Sequence, residues 1–224
     1  MSDKNNEFRF KKYDHSSRPD YSYLDDSDHC FYVGDYTARM GYSYSETNQI
    51  IHNLKKKLGD NGYSYKAGAI RAVANYFYKG IGESNIQKWM LVPIPPSGAH
   101  GSENYDPRMM KILNAMNALS GNKLDVRELV VQTETTKPAH LSPGERMTPS
   151  DLIEIYSINE KLVNPSPERV MVFDDVLTKG AHFKAMQTVI KTQYPNIPVV
   201  GMFFAHTVHA EYDFQFEPID FKEK

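Results

Sequence analysis

From residue 88 onward the chain alternates between short apolar runs and stretches of helical periodicity. "KWMLVPI" (88–94) is apolar and punctuated by prolines, the mark of a buried strand. "DPRMMKILNAMNAL" (106–119) places Met109, Ile112, Leu113 and Met116 on one helical face, where the methionines read as core filler. "VRELVVQT" (126–133), "RVMVF" (169–173) and "PVVGMFF" (198–204) predict further strands, and 180–194 a helix. "TPSDLIEIY" (148–156) carries a helix start, with Thr148 as N-cap, Pro149 as first helical residue and Asp151 three after the cap. Strands separated by helices must return in the same direction, which leaves a parallel sheet covered by helices. The expected fold class is α/β, a parallel sheet flanked by helices, with a small helical N-terminal part. The chain shows no internal repeat.

The first 87 residues read differently. Residues 1–28 are polar and lack periodicity, which suits a flexible N-terminal arm. The folded domain is expected over 29–210, as an N-terminal part (29–87) and an α/β core (88–210). "FYVGDYTARMGYSY" (31–44) suggests strands paired about Gly34 and Gly41. A helix is predicted from Ser45, with Ile50, Ile51, Leu54 and Leu58 on one face and Gly59 as its stop. A second covers 65–79, turning Ile70, Val73, Ala74 and Phe77 inward, with Gly80 and Gly82 ending it. Lys55, Lys56 and Lys57 read as a solvated helix end, where lysines suit the helix dipole. In the 211–224 tail, Tyr212, Phe214, Phe216 and Phe221 are expected to pack on the domain or on a second subunit, as in a homodimer.

Composition narrows the function classes. Hydrophobic residues make up 40% of the 224, enough for a core, and mean hydropathy is −0.57 with no long apolar run. No membrane span is expected, and "MSDKNNEFRFKK" has no apolar segment of the secretory kind, so a cytoplasmic protein is the simplest expectation. A net charge of −2 leaves no nucleic-acid footprint. The single cysteine, Cys30, excludes an internal disulfide and an all-cysteine zinc site. His206 and His209 would be two zinc ligands without an evident third.

The chemistry concentrates in "VMVFDDVLTKGAHF" (170–183). Asp174 and Asp175 follow an apolar strand, and ligands of open α/β sheets bind beyond the carboxyl ends of strands. The turn from Thr178 through Lys179 and Gly180 to Ala181 leads into a helix whose first amides lack intrahelical partners, so turn and helix start form an anion cradle. Carboxylates followed by an anion cradle suit a ribose 5-phosphate: the acids accept from the 2- and 3-hydroxyls and the turn holds the phosphate. Charge-assisted hydrogen bonds of this kind contribute roughly 1.5–3 kcal/mol each. The nucleotide-binding glycine motifs GxxxxGK and GxGxxG are absent.

That segment resembles the signature of type I phosphoribosyltransferases. "MLVPIPPSGAHGSENYDPRMMKIL" looks like the strand, pyrophosphate loop and helix that precede it there, and "NQIIHNLKKK" and the Val-Pro-Ile-Pro segment are most similar to the ComF-like branch. The resemblance spans about residues 30–208. It implies displacement of pyrophosphate from phosphoribosyl pyrophosphate with Mg²⁺, which the Asp174 and Asp175 pair would hold, if need be through water. It implies pyrophosphate binding by Pro96, Ser97, Gly98 and Ala99, and ribose-phosphate binding by Asp174, Asp175 and residues 178–182. Lys137 or Arg146, in the polar loop 132–147, would close over the leaving group, making these two cations and the acid pair the catalytic set.

The chain departs from the ComF-like pattern in lacking its cysteine zinc site. Lys179 and His182 stand where hydroxyl residues are usual. Lys179 would contact phosphate or face solvent, and His182 would donate to phosphate or cap the helix. Glu103 and Asp106, in the pyrophosphate-loop region, would repel a pyrophosphate unless they act through Mg²⁺. Two functions remain open: an enzyme, or a non-catalytic phosphoribosyl- or nucleotide-binding sensor or partner protein of the same fold.

Overall fold

A computed structural model describes residues 9–17, 22–133 and 146–209. Its centre is a six-stranded sheet in the order β1-β2-β8-β7-β3-β4. The strands are β1 (Lys11–Lys12), β2 (Cys30–Ala38), β3 (Met90–Pro93), β4 (Asp125–Val126), β7 (Val170–Leu177) and β8 (Val199–His209). All neighbours are parallel except the edge strand β1, so the sheet is mostly parallel where a parallel one is expected. A separate antiparallel pair joins β5 (Val130–Gln132) to β6 (Tyr156–Ile158).

Period-two alternation gives each central strand two apolar faces, as buried parallel strands require. Val170 and Val172 join Phe183, Met186 and Ile190 of α6 (Ala181–Gln193) and Leu152 of α5 (Pro149–Ile155). Met171 and Phe173 point the other way, to Leu54 of α1 (Glu46–Leu54), Phe77 of α2 (Tyr65–Ile81) and Leu113 of α4 (Arg108–Leu119). A one-turn helix, α3 (Glu83–Ile86), leads into β3. From β3 the chain crosses by α4 to β4, and from β7 by α6 to β8, moving in opposite directions with helices on opposite faces. Both crossovers thus keep the same hand. The gap between β3 and β7, where the direction reverses, is the place where such sheets bind ligands.

The expected elements shift in four places. Residues 31–44 do not fold as two paired strands: Cys30–Ala38 is one strand lying parallel to β8, with Gly34 opposite Ala205. "VRELVVQT" is divided, since Asp125–Val126 extends the main sheet while Val130–Gln132 turns away to pair with β6. The acids do not follow the strand, because β7 continues to Leu177 along β8. Helix α1 ends at Leu54, leaving Leu58 85% exposed rather than on the core face. Within the expected arm, Lys11–Lys12 pairs with β2 and Tyr13, Leu24 and Asp28 are buried. Thr148 and Asp151 form the predicted capping box, with Thr148 N–H donating to Asp151 at 2.7 Å. The tail residues Tyr212, Phe214, Phe216 and Phe221 lie outside the described residues. Among the described residues no helix is long and apolar enough to cross a membrane.

Candidate functional site

A cleft of about 220 Å³ opens beyond the carboxyl ends of β3 and β7. Strand β3 stops at Pro93, and its last bond to β7 is followed by Ile94 N–H donating to the Phe173 carbonyl at 2.9 Å. Strand β7 runs on, paired only with β8, so its other edge faces the cleft. The Asp175 amide lies on that vacated edge and donates to the Asp174 carboxylate at 2.8 Å.

Adjacent strand residues point to opposite faces, and the two acids do so. Asp174 looks towards Tyr156, whose hydroxyl shares a 2.8 Å hydrogen bond with His182 Nδ1. Burial, then the charge of Asp175, pushes the Asp174 carboxyl up to about 7, although Arg108 pulls it down. Asp175 looks the other way. Burial opposes its ionisation, but Arg108 and then Lys55 outweigh burial and hold it below the usual carboxylate range. Arg108 reaches it with Nε and Nη2, both 2.9 Å from Oδ2. Lys55 Nζ stands 3.9 Å from the same oxygen.

The Arg108 fork also contacts Asp106 through Nη1 at 2.9 Å, and Asp106 receives Lys66 Nζ at 2.8 Å. Lys66 is buried and donates to the Lys56 carbonyl as well. Asp106 is therefore a paired anion, its charge met by Lys66 and Arg108. Glu103 is exposed and outside the cleft lining. The acidic group that does line the cleft unexpectedly is Glu128, held by His100 at 3.0 Å and the Tyr105 hydroxyl at 3.3 Å.

The turn after β7 is fixed from behind. Gly180 has φ +82°, and a Cβ there would sit 2.5 Å from Leu24. Tyr23 N–H donates to the Lys179 carbonyl at 2.9 Å, and Lys184 of α6 bridges Asp25 and Asp28 at 2.8 and 2.9 Å. Residues 22–28 thus strap the turn onto the domain. Thr178 and His182 line the cleft; Lys179 is half-buried, and Ala181 opens α6. His182 is reached by solvent yet crowded by protein, and that crowding holds its pKa below the ordinary imidazole value against the pull of Asp175.

Of the loop residues assigned to pyrophosphate, Pro96 and Ser97 line the cleft and Gly98 and Ala99 do not. Gly98 is needed for packing, because a Cβ would meet the Asn104 and Tyr105 backbone at 2.6–2.7 Å. The Ser97 carbonyl accepts from the Gln132 amide at 2.9 Å, tying the loop to β5. Arg146 is exposed and is not among the cleft residues; Lys137 lies outside the described residues.

Sequence reasoning missed Lys55, Lys66, Arg108 and Glu128. The lysine run is not a free solvated helix end: Lys55 enters the cleft, Lys56 donates to the Asn61 carbonyl, and Lys57 donates to Asn104 at 2.9 Å. The "DPR" at 106–108 was the available signal, a short acid-cation pair at a helix start facing a strand-end acid. His206 lies between the rings of Tyr13 and Tyr32, each 5.2 Å away. Among the described residues no group of three or more His, Cys, Asp or Glu is placed to hold a metal ion.

Comparison of the sequence with protein-family models and with curated proteins gives no match.

Proposed function

We propose that the cleft binds a phosphoribosyl compound and that the protein transfers its phosphoribosyl group from phosphoribosyl pyrophosphate to an acceptor. One observation carries the reading: Asp174 and Asp175 lie on the open edge of β7 at the sheet's switch point, directly before a strapped glycine turn that starts α6. The carboxylates accept from the 2- and 3-hydroxyls of ribose. Asp175 keeps this capacity beside Arg108, because a carboxylate offers about four acceptor sites. The amides of 178–182 take the 5-phosphate at the α6 N-terminus.

In the reaction the bond from the anomeric carbon to a pyrophosphate oxygen breaks, and its electron pair leaves with pyrophosphate. An acceptor lone pair forms the new bond to that carbon, and the acceptor's proton passes to solvent. Asp174 and Asp175 hold the sugar as positive charge develops on its ring, and Pro96 and Ser97 bound the leaving-group side. Arg146 and Lys137 are the cations assigned to closing over it. Magnesium fits this site, since the ion takes one or two carboxylates together with phosphate oxygens and water, and Asp174 is the carboxylate left outside the Arg108 fork. When bound, it neutralises charge on pyrophosphate.

Glu128 favours a second reading, because a carboxylate facing the cleft opposes a polyanion and suits a sensor that binds without turnover. Calorimetry with phosphoribosyl pyrophosphate and Mg²⁺, run beside a pyrophosphate-release assay across bases, separates the two. Binding with release supports transfer, and binding without release supports the sensor. Unchanged affinity in the Asp174→Asn/Asp175→Asn double variant overturns the site itself.

A further inference from the structure

Two cations, Lys55 and Arg108, line the cleft, with Lys66 of α2 behind Asp106, and the three are not equally committed. Lys66 is buried and bound by both Asp106 and the Lys56 carbonyl. Arg108 spends Nε, Nη1 and Nη2 on Asp175 and Asp106. Lys55 differs. Its side chain is 46% exposed, and its ammonium is 3.9 Å from an Asp175 oxygen that Arg108 already holds at 2.9 Å. That separation is too long for a hydrogen bond, and a half-solvated ion pair contributes little. The Tyr36 ring lies beneath it, its centroid 5.9 Å from the ammonium. Lys55 can therefore turn to a ligand while Asp175 stays neutralised by Arg108.

Among the described residues, the cleft lining offers no other lysine or arginine besides the committed Arg108. Asp106 is paired, Glu128 is acidic, and Arg146 is not among the lining residues. A pyrophosphate in this cleft needs a cation within reach, and Lys55, which lines the same cleft as Pro96 and Ser97, supplies one.

We propose that Lys55 is a pyrophosphate-binding cation of the cleft, taking the leaving-group end of the ligand while β7 and the turn take the sugar phosphate. The assignment rests on the phosphoribosyl reading of the site. It gives the α1 C-terminus a role in selecting a polyanionic ligand over a simple sugar phosphate.

The test is calorimetry on the full chain with phosphoribosyl pyrophosphate, inorganic pyrophosphate and ribose 5-phosphate, comparing wild type with Lys55→Met and Lys55→Arg after matched thermal melts. Lys55→Met should weaken both pyrophosphate-containing ligands about tenfold or more, the effect of one lost charge-assisted bond. Ribose 5-phosphate should stay within about twofold, and Lys55→Arg should recover most of the loss. If Lys55→Met binds all three as wild type does, the lysine assignment fails while the phosphoribosyl reading stands. An equal loss of all three ligands makes Lys55 a general support for the cleft and also overturns it. If wild type binds none of them, the parent reading fails and this assignment with it.

Discussion

One wall of the cleft is written by consecutive residues, and the other by residues that meet only after folding. The first runs from Asp174 to His182: strand edge, glycine turn, helix start. The second gathers Lys55 from the end of α1, Asp106 and Arg108 from the start of α4, and Glu128 from beside β4, with Lys66 of α2 holding Asp106 from behind. Local geometry shapes the consecutive wall, because φ +82° at Gly180 and the alternation along β7 aim its groups. Long-range ion pairs shape the gathered wall, above all Arg108 between Asp106 and Asp175. The two walls meet at Asp175, which belongs to the first by sequence and to the second by contact.

Cutting that junction should have the largest effect. Arg108→Met leaves Asp175, 4% exposed, and Asp106 without their fork. Removing one partner of a buried pair costs about 3 kcal/mol, and a chemical melt should register that loss. Adding Asp175→Asn should restore part of it, since the orphaned charge is then gone. If the single variant melts as wild type does, the gathered wall is not held by this pair.

Gly180→Ala tests the consecutive wall. Here a left-handed backbone position coincides with a Cβ only 2.5 Å from Leu24 Cγ, so strain and overlap add. The expected loss is about 2 kcal/mol, and it should be accompanied by weaker binding of ribose 5-phosphate. Loss of stability without any change in affinity would separate the turn from the anion site.

What the sequence disclosed follows the same division. The parallel sheet was legible because buried strands and their crossover helices are local apolar patterns. The Asp174–His182 wall was legible because strand, acids and glycine are contiguous. The gathered wall was not, since nothing local says that Lys55 will meet a strand-end carboxylate sixscore residues away in the chain, or that Asp106 will be neutralised by Lys66. The end of β7 was misjudged for a related reason: Asp174 and Asp175 are poor strand formers, and only pairing with β8 carries the strand through them.

The two acids should also respond oppositely to pH. Asp174 is raised to about 7, so its favourable contribution is present at acid pH and is lost as pH climbs through that value. Asp175 is lowered, so its contribution is present at neutral pH and is lost only as pH falls below the ordinary carboxylate range. Asp174→Asn should therefore gain on wild type by about 1–2 kcal/mol between pH 5 and 8, a figure discounted for the partial exposure of the site. Ribose 5-phosphate binding by wild type should strengthen over the same interval, since accepting from two hydroxyls favours the ionised acid. A flat difference between variant and wild type would place Asp174 in an ordinary solvated setting.

The smallest effect is expected at Leu58. By spacing it belongs with Ile50, Ile51 and Leu54, and a helix continuing to Gly59 would bury it. Instead α1 stops at Leu54, the Lys55 amide bonds the Ile51 and Asn53 carbonyls, and the connection to α2 begins. The stop is what frees Lys55 to face the cleft and Lys57 to meet Asn104. Leu58 is the residue left outside, 85% exposed, while Leu54 is fully buried. Leu58→Ser should change stability by no more than about 0.5 kcal/mol, whereas Leu54→Ala should cost about 2–5 kcal/mol. A large loss at Leu58 would mean that α1 extends through the lysine run, and the gathered wall would then lose the geometry that puts Lys55 beside Asp175.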